Sequence, residues 1–138
     1  MKRNVALSTI MTPAPYAANL TQKLSEVRDV ITRRGFHHVP VVDAGKLVGL
    51  LSASDILRVS YTYGQDPRGA MAVLDHTLSI ADVMTTDVRT LAPTDTIRAA
   101  FEELAEGGFH ALPIVDADRT LVGILTTTDL LRYALAQY

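Results

Sequence analysis

The chain contains no cysteine, which excludes disulfides, thiolate chemistry and Cys-ligated metals and fits a reducing compartment. It has almost no net charge, −2 over 138 residues, so electrostatics gives no reason to expect a nucleic-acid or anionic-membrane partner. No uninterrupted apolar run approaches the ~18–20 residues of a membrane span. Lys2 and Arg3 have no apolar stretch behind them, so no signal peptide is expected. The expectation is a soluble, cytoplasmic protein. Motifs of catalysis are missing too. No glycine-rich turn precedes a Lys-Ser or Lys-Thr, and there is no G-x-G-x-x-G, no G-x-S-x-G and no zinc-helix histidine spacing.

What is present is present twice. Met11-Thr12 recurs as Met84-Thr85, and the stretch from Gly35 through Pro40 to Ala44 recurs from Gly108 through Pro113 to Ala117, at a spacing of 73. Leu47-Val48-Gly49-Leu50-Leu51-Ser52 returns as Leu121-Val122-Gly123-Ile124-Leu125-Thr126 at a spacing of 74. One additional residue in the turn after Asp116, compared with the turn after Asp43, accounts for the slip. An internal repeat constrains architecture before any local reading does. It predicts a first unit over residues 8–60, a linker over 61–79 and a second unit over 80–138. A chain of this size buries roughly two-thirds of the surface its unfolded form exposes, whereas one repeat alone would be marginal.

Each repeat carries the same succession of patterns. Leu24, Val27, Val30 and Ile31 lie at helical spacing, as do Ile97, Ala100, Phe101 and Leu104. Gly35 and Gly107-Gly108 follow, where a helix end favours left-handed residues. Two short apolar runs then form a hairpin signal, at 39–42 with 47–51 and at 112–115 with 121–125. A second helix is expected from residue 54 and from residue 128. With weak first strands near Tyr16-Ala17-Ala18 and Arg89-Thr90-Leu91, the unit reads β-α-β-β-α, a mixed α/β (α+β) class. The hairpin strands read as buried throughout, so helices should cover the sheets. Within the linker, Gly64-Gln65-Asp66-Pro67 predicts a turn and residues 68–74 a short helix.

Two constellations carry possible chemistry. His37, His38 and His110 precede the first hairpin strand of their repeats, where a histidine can donate to an anion or be satisfied by backbone. No acidic residue accompanies them at ligand spacing, so no metal is expected. Ser52-x-x-Asp55 and Thr126-x-x-Asp129 each follow an apolar run and open a helix. The pattern fits a capping box and a carboxylate at the positive end of the helix dipole. The same groups suit a nucleotide: helix-start amides bind phosphate, and a carboxylate can accept from both hydroxyls of a ribose.

The double pattern Gly-x-His-x-h-Pro-h-h-Asp, Leu-Val-Gly-h-Leu-[Ser/Thr]-x-x-Asp, with its Met-Thr lead, resembles the CBS domain pair, or Bateman module, over residues 9–59 and 80–134. The resemblance implies two repeats related by a pseudo-twofold axis, sheets face to face and helices outside. It also implies two clefts holding adenosine-containing ligands. By motif, Asp55 and Asp129 would take the ribose hydroxyls, with Ser52 and Thr126 near ribose or phosphate. Thr12, Pro13 and Ala14, and Thr85, Thr86 and Asp87, would border the adenine. Val39-Pro40 and Leu112-Pro113 would wall the base, and His37 and His110 would stand where a family member has phosphate-contacting histidines. His38 has Ala111 as its counterpart, so the clefts should differ in charge. Arg58 and Arg132 either reach phosphate or lie on solvated helix faces.

The function implied is a regulatory sensor, not an enzyme, that binds an adenine nucleotide, uses no catalytic cofactor and signals to an effector in trans. The resemblance also implies a homodimer, with Ile56-Leu57 and Leu130-Leu131 as candidate seam residues. The alternative is a structural or interaction module whose clefts are vestigial. A phosphohydrolase using the histidines is a third reading.

Overall fold

A computed structural model of the protein, described over residues 4–62 and 75–138, divides into two compact units. One is Tyr16–Asp87; the other joins Met1–Pro15 to Val88–Tyr138. The described elements are β1 (Thr12–Pro13), β2 (Ala18–Asn19), α1 (Leu24–Arg34), β3 (His38–Asp43), β4 (Lys46–Ser52) and α2 (Ala53–Thr62). They continue with α3 (Ile80–Val83), α4 (Ile97–Ala105), β5 (Ala111–Val115), β6 (Leu121–Thr126) and α5 (Thr127–Ala136). The expected turn at 64–67 and helix at 68–74 lie outside the described residues.

In the Tyr16–Asp87 unit the sheet order is β2-β3-β4, with β2 parallel to β3 and β3 antiparallel to β4. Asp43 pairs with Lys46 across a two-residue turn. Ala44 and Gly45 both have positive φ, 50° and 79°, the primed geometry that follows strand twist. Leu24, Val27 and Ile31 of α1 are buried in a core with Val39, Val41, Leu51, Ile56 and Ile80. The helix ends as expected: Gly35 is left-handed, and its amide donates to the Ile31 carbonyl at 2.9 Å. Its start has no cap of its own, since the N-cap is Lys23. Instead the Asp75 carboxylate accepts from the Ser25 amide at 3.0 Å and from the Ser25 hydroxyl.

In the other unit the order is β1-β6-β5, antiparallel throughout. Thr96 caps α4 by accepting from the Ala99 amide at 3.1 Å. Gly107 and Gly108 take left-handed φ beyond that helix. The weak first strand expected at Arg89-Thr90-Leu91 reduces to one parallel bridge between Leu91 and Ile114. Its counterpart survives as β2, registered on Val41 and Val42.

Two expectations need correction. The hairpin strands are not uniformly buried: β5 is buried at every position, but β4 alternates, with Leu47, Gly49 and Leu51 inward. The face of β4 that carries Val48 and Leu50 is only half-buried, so this strand is covered fully on one face only. The proposed seam pairs also split. Ile56 and Leu130 are core residues at 3% exposure, while their neighbours Leu57 and Leu131 are 67% and 63% exposed. Consecutive helix residues point about 100° apart, so such a pair straddles the boundary between core and solvent.

The compact units also regroup the repeats. Leu7 is fully buried among Ile97, Leu112, Ile114 and Leu125 of the later repeat, and Ile80, 73 positions on, is fully buried in the core of the earlier one. The leading segment of each repeat therefore belongs to the compact unit of the other.

Candidate functional site

In both units the hairpin runs directly into a helix, bringing the histidine stretch to that helix's first turn. In the Tyr16–Asp87 unit His38 is registered opposite Ser52, and the Ala53 amide donates to the His37 carbonyl at 2.9 Å. In the other unit Ala111 is opposite Thr126. Thr127 donates to the His110 carbonyl from its amide at 3.0 Å and from its hydroxyl at 3.3 Å. His37 and His110 are exposed, and His38 is half-buried.

Both helix starts are closed by complete capping boxes. Asp55 accepts from the Ser52 amide at 3.3 Å, and Ser52 Oγ accepts from the Asp55 amide at 3.0 Å. The Thr126–Asp129 pair does the same at 2.9 and 3.2 Å. The structural reading of this motif therefore holds, yet it does not exhaust the groups. A hydroxyl that accepts still has a hydrogen to donate, and a carboxylate with one oxygen engaged keeps the other. Among the described residues the Ser54 and Thr128 amides, one in each first turn, have no hydrogen-bond partner. These are donors that a helix start leaves for an anion.

The two carboxylates differ. Asp55 Oδ1 is engaged by the Arg58 guanidinium, whereas Asp129 makes no ion pair among the described residues. Arg58 is thus turned to its own helix start, and both Arg58 and Arg132 are exposed on their helices.

The segments expected to border a base are crossed. Thr12 and Pro13 lie opposite Ile124 and Gly123 on β6, the strand that leads to Thr126 and Asp129. The Ala14 amide donates to the Val122 carbonyl at 3.2 Å. Thr85 exchanges both backbone hydrogen bonds with Leu50, at 2.9 Å each, on the strand that leads to Ser52 and Asp55. So Thr12, Pro13 and Ala14 are grouped with His110 and Asp129, while Thr85, Thr86 and Asp87 are grouped with His37, His38 and Asp55. All six segment residues are exposed. Ala14 is held at φ 43°, a left-handed conformation that costs a non-glycine residue roughly 1–2 kcal/mol. Val39 and Leu112 are fully buried, and Pro40 and Pro113 are buried beside them. They lie within β3 and β5.

Sequence reading missed what seats the crossed segments. A Cβ built on Gly49 would collide with the Met84 Sδ and lie 2.8 Å from its Cγ and 3.0 Å from the Thr85 carbonyl oxygen. On Gly123 it would lie 2.5 Å from the Met11 Sδ and 3.1 Å from the Thr12 carbonyl oxygen. The signal was available: Met-Thr and Leu-Val-Gly are both exact repeats.

Comparison with known proteins adds to this geometry. The CBS domain family matches residues 7–61 and 80–136. The Methanocaldococcus jannaschii protein MJ1225 is 26% identical over 94% of the chain, which covers 47% of that protein. An L-aspartate semialdehyde sulfurtransferase of Methanosarcina acetivorans is 30% identical over 85% of the chain, which covers only 21% of the enzyme. The chain thus spans half or less of the length of these relatives. Among solved structures, CBSX2, a protein of Arabidopsis thaliana, has been determined in complex with AMP. That complex superposes with a TM-score of 0.80 at 25% identity, covering 96% of this chain and 98% of CBSX2.

Proposed function

Since the chain belongs to the CBS domain family, we propose that it is a regulatory module that binds an adenine nucleotide without turning it over and relays occupancy to a partner protein. One observation carries the reading. In each compact unit a histidine, a Ser or Thr N-cap, an aspartate and an exposed Thr-led segment converge on one strand end and helix start. The AMP complex of CBSX2 supports the choice of ligand.

Asp129 and Asp55 are the ribose acceptors, the Thr128 and Ser54 amides with His110 and His37 the phosphate donors, and the crossed segments the border of the base. His38, opposite Ser52, belongs to the same group as Asp55. Of the two groups, the one with Asp129 is the stronger, because Arg58 competes for the Asp55 carboxylate. A homodimer acting on an effector in trans in the cytoplasm completes the proposal, with Leu57, Leu131 and Leu135, all more than 60% exposed, at its seam. The chain covers 21% of the sulfurtransferase relative, and the proposal is built on the CBS repeats alone.

A second reading is favoured by the capping boxes: Ser52, Asp55, Thr126 and Asp129 are all employed structurally, as they would be in an interaction module without a ligand. Calorimetric titration of AMP into the wild type, D55N and D129N separates the two. Asn keeps an acceptor for the N-cap amide but loses the charge and the second acceptor that a diol needs. Saturable binding weakened most by D129N supports the sensor. An absence of binding by AMP, ADP, ATP, S-adenosylmethionine and NAD would select the interaction module.

A further inference from the structure

The glycine on each hairpin's second strand has no backbone reason to be glycine: Gly49 and Gly123 do not take positive φ. What each lacks is room, because a methionine thioether and a main-chain carbonyl occupy the place of its Cβ. Both glycines are buried, and both methionines are half-buried against the core of the unit they enter. Methionine suits such a slot, being unbranched and free to follow an irregular gap. The residue after each methionine is the one registered on the strand, Thr12 on Ile124 and Thr85 on Leu50. The thioether therefore sets how closely, and at what height, the exposed segment lies along the strand.

We infer that Met11 and Met84 are positioning residues for the two nucleotide groups, acting crosswise. Met11 seats Thr12, Pro13 and Ala14 beside Asp129, and Met84 seats Thr85, Thr86 and Asp87 beside Asp55. The inference rests on the nucleotide reading for its ligand half, and on the Met–Gly contacts alone for its structural half. Each methionine controls the group built around the other repeat's aspartate, which no reading of a repeat in isolation would produce.

Two experiments test it. The structural half is read without ligand, by thermal unfolding of M11A, G123A and the double variant, and of M84A, G49A and theirs. Because the added Cβ collides with the thioether, the penalty of each glycine substitution should shrink when the methionine is already alanine. Equal penalties in both backgrounds overturn the seat. The ligand half is read by AMP titration with one group disabled. In a D55N background, M11A should weaken the remaining site by about tenfold, a loss on the order of 1.4 kcal/mol, while M84A changes it less than about twofold. In a D129N background the two should exchange roles, and Met→Leu, a volume-conserving swap, should restore most of the affinity. If both methionines affect both sites equally, or neither affects any, the positioning role is overturned while the nucleotide reading stands. If the wild type binds no AMP, the reading and the ligand half fall together, and the unfolding cycle still decides the seat.

Discussion

Asp75 caps a helix it does not belong to: its carboxylate accepts from the amide and the hydroxyl of Ser25, fifty residues earlier, at the start of α1. Loss of an N-cap acceptor costs about 1 kcal/mol, which for a domain of this size lowers the thermal midpoint by roughly 2–4 °C. D75A is expected to show that loss. S25A should show less, since the amide bond survives. Thermal unfolding of the two variants checks the order; equal losses would place the effect in the hydroxyl alone.

The capping boxes make Asp→Ala variants ambiguous reporters of ligand binding. D129A and D55A should each lose about 1 kcal/mol of stability even without nucleotide, and D129N and D55N considerably less. Denaturant unfolding of the four variants, nucleotide-free, measures this directly.

Ala14 is left-handed at φ 43°. A14G should leave stability unchanged or raise it by up to about 1 kcal/mol, and A14V should lower it by more than about 1 kcal/mol, because a β-branched residue tolerates positive φ least. A melting comparison of the two variants measures the strain.

Within α5 two neighbouring leucines should behave oppositely. L130A removes a core side chain and should cost about 2–5 kcal/mol; L131A, on an exposed position, should stay within about 0.5 kcal/mol. If the exposed leucines form a homodimer seam, L131E combined with L135E should yield a monomer in sedimentation equilibrium without loss of fold. An unchanged sedimentation profile would remove those residues from the seam.

Asp82 gives a pH-dependent signature. Its carboxyl is held below the ordinary carboxylate range, first by the hydrogen bond from the Ser79 amide and then by that from the Ser79 hydroxyl. A lowered folded-state pKa contributes stability that is present above the unfolded value and lost as pH falls through the folded one. The stability difference between the wild type and D82N should therefore be flat near neutral pH and narrow below about pH 4. Melting both proteins across that range checks the sign.

Much of this was legible because it is local. The hairpins, the left-handed Gly35 and the Ser52–Asp55 and Thr126–Asp129 boxes each depend on residues a few positions apart. Periodicity could not say which of Leu130 and Leu131 faces inward, since both are equally apolar. Nor could it locate the Met-Thr segments. Thr12 lies in a two-residue strand registered on a partner more than a hundred positions away, and Thr85 makes one bridge to Leu50, 35 positions earlier, so no short window of sequence contains either pair. The Arg58–Asp55 contact was equally hidden, because the same spacing at Asp129 and Arg132 yields no such pair.

The regrouping of the leading segments bears on how the chain can be cut and rejoined. Expressed alone, residues 8–60 would lack the segment around Ile80 that completes their core and would carry instead a strand meant for the other half. Tyr16–Asp87 is already continuous, and a circular permutant that begins at Tyr16 and joins Tyr138 to Met1 through a flexible tether makes the other compact unit continuous too. The native order yields only Tyr16–Asp87 as a single fragment with its whole core, whereas the permutant yields both halves.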